Sequence, residues 1–153
     1  MKRFTSIATA FFMAGYLLSC NNNPQMITFP EPLRPAGTTD VLELRCEPLD
    51  TVRVAFIGLG MRGSGAVNRY TFLEGVKVVA LCDVVPENVE RANDILVEKG
   101  FARADAYTGP EDWKRVCERE DVDLVYVCTH WDLHTPIGVY AMEQGKHVAL
   151  EVP

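Results

Sequence analysis

Gly58, Gly60 and Gly63 stand at the spacing G-x-G-x-x-G, directly after the apolar run 54–57 and before a segment of helical character. A strand, a tight turn and a helix start in that order form a device for holding a pyrophosphate. Gly58 permits the turn, Gly60 lets backbone approach the phosphates, and Gly63 lets the helix lie close to the strand. The helix N-terminus then offers unpaired N–H groups and the positive end of its dipole to the anion. Such a turn must be followed, about 20 residues on, by an acidic residue closing a second strand. The run 76–82 reads as that strand, and Asp83 closes it. A carboxylate there accepts hydrogen bonds from the adenosine ribose and repels a 2′-phosphate, which favours NAD over NADP. The bland alternative for Asp83 is a turn cap.

The elements that position these groups alternate along the chain. Helical character runs over 64–73 and ends at Glu74-Gly75. After strand two, Pro86 opens a second helix, with Val89, Ala92, Asn93, Leu96 and Val97 as its inward stripe and Gly100 as its stop. A short strand over 104–107 precedes a third helix from Pro110 through Cys117. The run 123–128 is nearly continuous in apolar residues, as a strand covered on both faces should be. A fourth helix is expected over 136–144, opened by Pro136 and stopped by Gly145, and a fifth strand over 147–150. Strand and helix in alternation predict an α/β fold with a doubly wound parallel sheet and right-handed crossovers. Ligands of such sheets bind at the C-terminal ends of the strands. That rule selects the glycine turn, Asp83, the segment 129–134 and Glu151.

The chain has 153 residues, a formal net charge of −6 and 48% hydrophobic residues, enough for one cored domain. No basic cluster appears, which argues against nucleic-acid binding. The N-terminus reads differently from the rest. Lys2 and Arg3 precede an apolar stretch over 4–18 that is short for a bilayer span, and Leu17-Leu-Ser-Cys20 follows. This order predicts a lipoprotein signal peptide over 1–19 with Cys20 as the lipidated residue, so an exported protein anchored to a bacterial membrane. Residues 20–50, rich in Pro, Asn and Thr, read as a tether, with a short edge strand expected over 41–45. Cys46, Cys82, Cys117 and Cys128 match no zinc spacing. Cys82 and Cys128 end strands on either side of strand one, too far apart to bridge, so free thiols are expected.

Two further stretches carry a resemblance. The chain reads Cys128-Thr-His-Trp-Asp-Leu-His134 at the end of strand four and Gly145-Lys-His-Val-Ala-Leu-Glu-Val-Pro153 at the end of strand five. From residue 51 onward it resembles the N-terminal, Rossmann NAD-binding domain of the Gfo/Idh/MocA oxidoreductase-like proteins. Those have a Thr-Pro-Asn-x-x-His-like stretch and a Glu-Lys-Pro in these places. Here Trp131 replaces the usual Asn and Val152 the usual Lys, a catalytic group in many of the dehydrogenases. The departures, with the Gly-Met-Arg-Gly-Ser of the glycine turn, are similar to the branch classified as glycoside hydrolase family 109, whose members resemble α-N-acetylgalactosaminidase and are often exported.

That resemblance implies tightly held NAD. It also implies glycoside cleavage by oxidation at the sugar C3, elimination, addition of water and reduction, with NAD recycled and no carboxylate pair of the ordinary kind. It implies that Met61 and Arg62 contact the pyrophosphate beside Gly58, Gly60 and Gly63. Trp131, Asp132, Leu133 and His134 would then line the nicotinamide side, and Glu151 and Val152 would close over the nicotinamide ribose. A capping turn with an aromatic plug is the plainer account of Trp131 and His134, and a solvated surface charge that of Arg62. In family members a second domain with an open sheet holds the sugar and the acid–base residues. No catalytic residue is therefore expected within this chain, which is expected to be a fragment or truncated product covering 51–153 of the cofactor domain. A GalNAc-type glycoside is the implied substrate of a full-length protein, and homo-oligomerisation stays open. The alternatives are a sugar dehydrogenase of the same superfamily and a non-catalytic nucleotide-binding lipoprotein.

Overall fold

The computed structural model describes residues 28, 30, 36–37 and 45–152. The signal peptide, Cys20, most of the tether and the edge strand expected over 41–45 lie outside the described residues, apart from Arg45, which is irregular. The chain divides after Arg45, and the fold below belongs to the unit Cys46–Pro153.

Five parallel strands form one sheet: β1 (Val52–Ile57), β2 (Val76–Cys82), β3 (Asp105–Tyr107), β4 (Leu124–Val127) and β5 (His147–Leu150), in the order β3-β2-β1-β4-β5. Four helices connect them: α1 (Met61–Tyr70), α2 (Pro86–Glu98), α3 (Asp112–Cys117) and α4 (Trp131–Glu143). The order reverses at β1, between β2 and β4, so the crevice above β1 is the switch point where doubly wound sheets hold ligands.

Successive strand residues point to opposite faces, and the sequence fills both with apolar groups. Ala55, Ile57, Cys82, Val125 and Val127 face a layer built from α3 and α4, including Val116, Cys117, Ile137 and Ala141. Val54, Phe56 and Leu81 face α1 and α2 through Ala66, Val67, Val89, Ala92 and Leu96. Phe56, Tyr70 and Tyr126 close that second layer as an aromatic trio, with ring centroids 5.0 to 5.6 Å apart. Asn93, within the apolar stripe of α2, is buried because it clamps the start of β3. It donates to the Ala104 carbonyl at 3.2 Å and accepts the Ala104 N–H at 2.8 Å.

Three helix starts differ from expectation, α3 by only two residues, since it begins at Asp112 and not at Pro110. Helix α1 begins at Met61, straight off the glycine turn, three residues before the expected 64. Helix α4 begins at Trp131, five residues before Pro136, which stands inside it. A proline at that position cannot donate to the Asp132 carbonyl. The helix forgoes that one bond and keeps the rest, including an N-terminal turn in which Leu133 N–H reaches the His130 carbonyl at 3.0 Å. The segment 131–134 is therefore the first turn of a helix, not a loop.

Candidate functional site

The glycine turn is shaped by three different constraints. Gly58 has φ +88°, a region that L-residues rarely adopt, and a Cβ there would come within 2.7 Å of the Cys128–Thr129 peptide. A Cβ on Gly63 would lie 1.9 Å from the Gly58 carbonyl oxygen, so α1 presses on the turn itself. Gly60 is the opposite case: nothing stands within 4 Å of where its Cβ would be. It is the N-cap of α1, with no side-chain cap bond and no acidic residue in the first turn. Among the described residues the first N–H groups of α1 thus have neither intrahelical nor side-chain partners, and they lie beside the open ground over Gly60. Ser64 Oγ donates to the Leu59 carbonyl at 2.7 Å and ties the turn from below.

Asp83 accepts the Leu59 N–H at 2.5 Å on one oxygen and the Val85 N–H at 2.8 Å on the other. It is a turn clasp, joining the end of β2 to the glycine turn. A carboxylate has about four lone-pair sites, so two remain for hydroxyl donors.

Around these groups lies a cleft of about 400 Å³ at the C-terminal edge of the sheet. Gly58, Gly60, Met61, Arg62, Asp83 and Leu133 of the expected residues line it. Thr129 and His130, in the segment selected by the strand-end rule, line it as well, as do Asn88, Pro110 and Trp113, which were not expected to bind. The signal for them was the strand-end rule, since each follows β2, β3 or β4 in the chain. Helices α1, α2 and α4 all begin at this edge, so their dipoles favour an anion there. Cys82 and Cys128 stand in the wall. Burial, aided by Asp112 and Asp83, pushes the Cys82 thiol up to about 12. Burial, aided by Glu151, pushes Cys128 to about 12 as well. Both remain thiols at neutral pH, and all four described cysteines are free, as expected.

The remaining expected residues are not in the cleft wall. Trp131 is 75% exposed at the start of α4, and Asp132 is exposed beside it. His134 is buried, and its ring Nε2 hydrogen-bonds the Thr129 carbonyl at 3.0 Å, which anchors the first turn of α4. Its observed part is that of a capping turn. Glu151 N–H extends the sheet by bonding the Val127 carbonyl, and its carboxylate lies 3.6 Å from Arg69. Val152 is 85% exposed.

These features define a dinucleotide-binding domain of the doubly wound class. The chain belongs to the oxidoreductase family with an NAD-binding Rossmann fold, whose family model matches residues 52–153. It is 58% identical over 125 residues to glycosyl hydrolase family 109 protein 1 of Phocaeicola vulgatus, covering 81% of this chain and 26% of that protein. It is 52% identical over 121 residues to an α-N-acetylgalactosaminidase of Bacteroides fragilis, covering 79% of this chain and 28% of that one. The chain therefore spans about a quarter of the length of these curated relatives. Among solved structures it resembles myo-inositol dehydrogenase from Lactobacillus casei in complex with NAD(H) and myo-inositol. The TM-score there is 0.56 at 27% identity, covering 67% of this chain and 29% of that one.

Proposed function

We propose that this chain is the NAD-holding part of a glycosidase that acts on α-N-acetylgalactosaminides. The observation that carries the cofactor half is the open face over Gly60, set between the free N–H groups of α1 and the Asp83 carboxylate. The residues fit the group. Gly60, Met61 and Arg62 would hold the pyrophosphate, and the two spare lone-pair sites of Asp83 would take the adenosine ribose hydroxyls. Pro110, Trp113 and Leu133 supply apolar surface for a planar base in the same cleft. Leu133 stands on the first turn of α4, with Trp131, Asp132 and His134; these, with Glu151 and Val152 at the adjacent strand end, are assigned to the nicotinamide side. When bound, NAD supplies a hydride acceptor that is restored within each turnover. The substrate half rests on the similarity to the family 109 proteins.

Calorimetric titration of the 153-residue chain with NAD tests the cofactor half: saturable binding is expected, and none would overturn it. An aryl α-N-acetylgalactosaminide assay on the protein from its native cells tests the substrate half. Sugar release without added NAD and without net NADH is expected. The similarity to inositol dehydrogenases supports a second reading, a sugar oxidoreductase, for which NADH would accumulate instead. Val152 stands against that reading, since valine can neither give a proton nor polarise a carbonyl.

Export belongs to the same proposal. The order of charges, apolar stretch and Leu17-Leu-Ser-Cys20 supports a lipid anchor on Cys20, facing the periplasm or the cell surface. Labelled fatty acid should enter the wild-type protein and not the Cys20→Ser variant; label persisting in the variant would sink the assignment. Among the described residues no helix is long and apolar enough to cross a membrane.

A further inference from the structure

Arg91 lies one helical turn after Asn88 on α2, and the two side chains meet. The guanidinium donates to Asn88 Oδ1 at 2.6 Å, and the same nitrogen lies 3.3 Å from the Leu59 carbonyl. Leu59 is also the residue whose N–H is held by Asp83. One residue of the glycine turn thus has a carboxylate on its donor side and a guanidinium on its acceptor side. Asn88 lines the cleft beside Asp83, Val84 and Val85. Elsewhere in the folded unit the arginines pair with carboxylates: Arg53 with Asp123, Arg69 with Glu151, Arg103 with Glu90, Arg115 with Asp112 and Arg119 with Asp121. Among the described residues Arg62 and Arg91 pair with no carboxylate, and both stand at this cleft or its turn. A guanidinium bonded only to neutral oxygens keeps its attraction for an anion.

We propose that Asn88 is a specificity-determining residue for the dinucleotide. By holding Arg91 against the glycine turn, it keeps the guanidinium away from the 2′ position of the adenosine ribose and leaves Asp83 to face that sugar. The inference rests on the dinucleotide assignment of the cleft. In the restrained state a 2′-hydroxyl meets a carboxylate and is bound, while a 2′-phosphate meets the same carboxylate and is repelled. Released, Arg91 has the reach and the planar fork to take a phosphate on two of its N–H groups. Selectivity for NAD over NADP then has two parts: a carboxylate that repels, and an amide that restrains a cation beside the glycine turn.

The test is a double-mutant cycle on the 153-residue chain, with NAD and NADP titrated calorimetrically into the wild type, Asn88→Ala, Arg91→Ala and the double variant. Asn88→Ala should raise NADP affinity relative to NAD by about tenfold, the scale of one charge-assisted hydrogen bond gained. The gain should vanish in the double variant. Arg91→Ala alone should shift both dinucleotides together and leave their ratio unchanged. A ratio indifferent to Asn88→Ala, or a gain that survives the loss of Arg91, would overturn the inference while NAD binding by the wild type upholds the site. Failure of the wild type to bind either dinucleotide would overturn the site, and the inference with it. Thermal melts accompany each titration. Asn88→Ser, whose hydroxyl is too short to reach the guanidinium, replaces Asn88→Ala if the alanine variant does not fold.

Discussion

Gly60 and Gly63 share a motif but answer to different physics, and substitution separates them. A methyl on Gly63 meets the Gly58 carbonyl oxygen at 1.9 Å, and both atoms belong to backbone that the sheet and α1 hold in place. Gly63→Ala should cost about 3 kcal/mol of stability, at the upper end of overpacking. A methyl on Gly60 meets nothing, and its φ of −60° and ψ of −162° suit any residue. Gly60→Ala should therefore leave stability within about 0.5 kcal/mol. The same methyl stands where the phosphates would approach, so NAD affinity should fall by about tenfold or more, about 1.4 kcal/mol. Urea unfolding and calorimetric titration of both variants check the pair. A Gly60→Ala protein that binds NAD like the wild type would contradict the assignment of the open face. The motif already assigns the two glycines separate tasks, but spacing carries no information about which atom Gly63 must clear, and that atom is the Gly58 carbonyl oxygen.

At the scale of elements, strands were more legible than helix starts. The runs 76–82 and 147–150 stand as read, because each is a short, mostly apolar run between turn residues, although β5 at the sheet edge is only half-buried. Helix α4 did not announce its start. Pro136 looked like a first-turn proline, yet the backbone before it found enough partners to wind from Trp131. Part of the cleft wall was obscured as well: Asn88 and Trp113 project into it from helices that the sequence pattern presents only as packing elements. Asn93 was equally ambiguous, since a polar residue in an apolar stripe can be a flaw or a joint. The structure makes it the joint between α2 and β3. Asn93→Leu keeps the volume but leaves the buried Ala104 N–H without its acceptor. The expected loss is about 2 kcal/mol, read from the urea midpoint. A neutral result would mean that Ala104 is paired by something other than this clamp.

At the scale of the folded unit, the two edges of the sheet have separate tasks. The C-terminal edge carries the glycine turn, Asp83 and the cleft. At the N-terminal edge, Asp123 takes the Arg53 guanidinium on both oxygens, at 2.6 and 2.9 Å, and also accepts the Arg53 backbone N–H at 2.8 Å. That joins the start of β1 to the start of β4, next to the place where Arg119 pairs with Asp105 and Asp121. The hydrogen bonds from Arg53 hold the Asp123 carboxyl down to about 2. Folding thus prefers the ionised form more strongly than the unfolded chain does, whose carboxylates titrate near about 4. The stability this contributes is fully present above that range and is lost as pH falls through it toward about 2. Asp121, held low by Arg119, works in the same direction. The melting temperature should therefore drop between pH 5 and pH 3, and Asp123→Asn should lower it at pH 7 while flattening that drop. Because Asp123 stands at the far end of β4 from the cleft, the same variant should bind NAD as tightly as the wild type at pH 7. A variant that keeps the full acid-induced drop would show that other carboxylates carry it. One that loses NAD affinity while still folded would show that the two edges are coupled through β1.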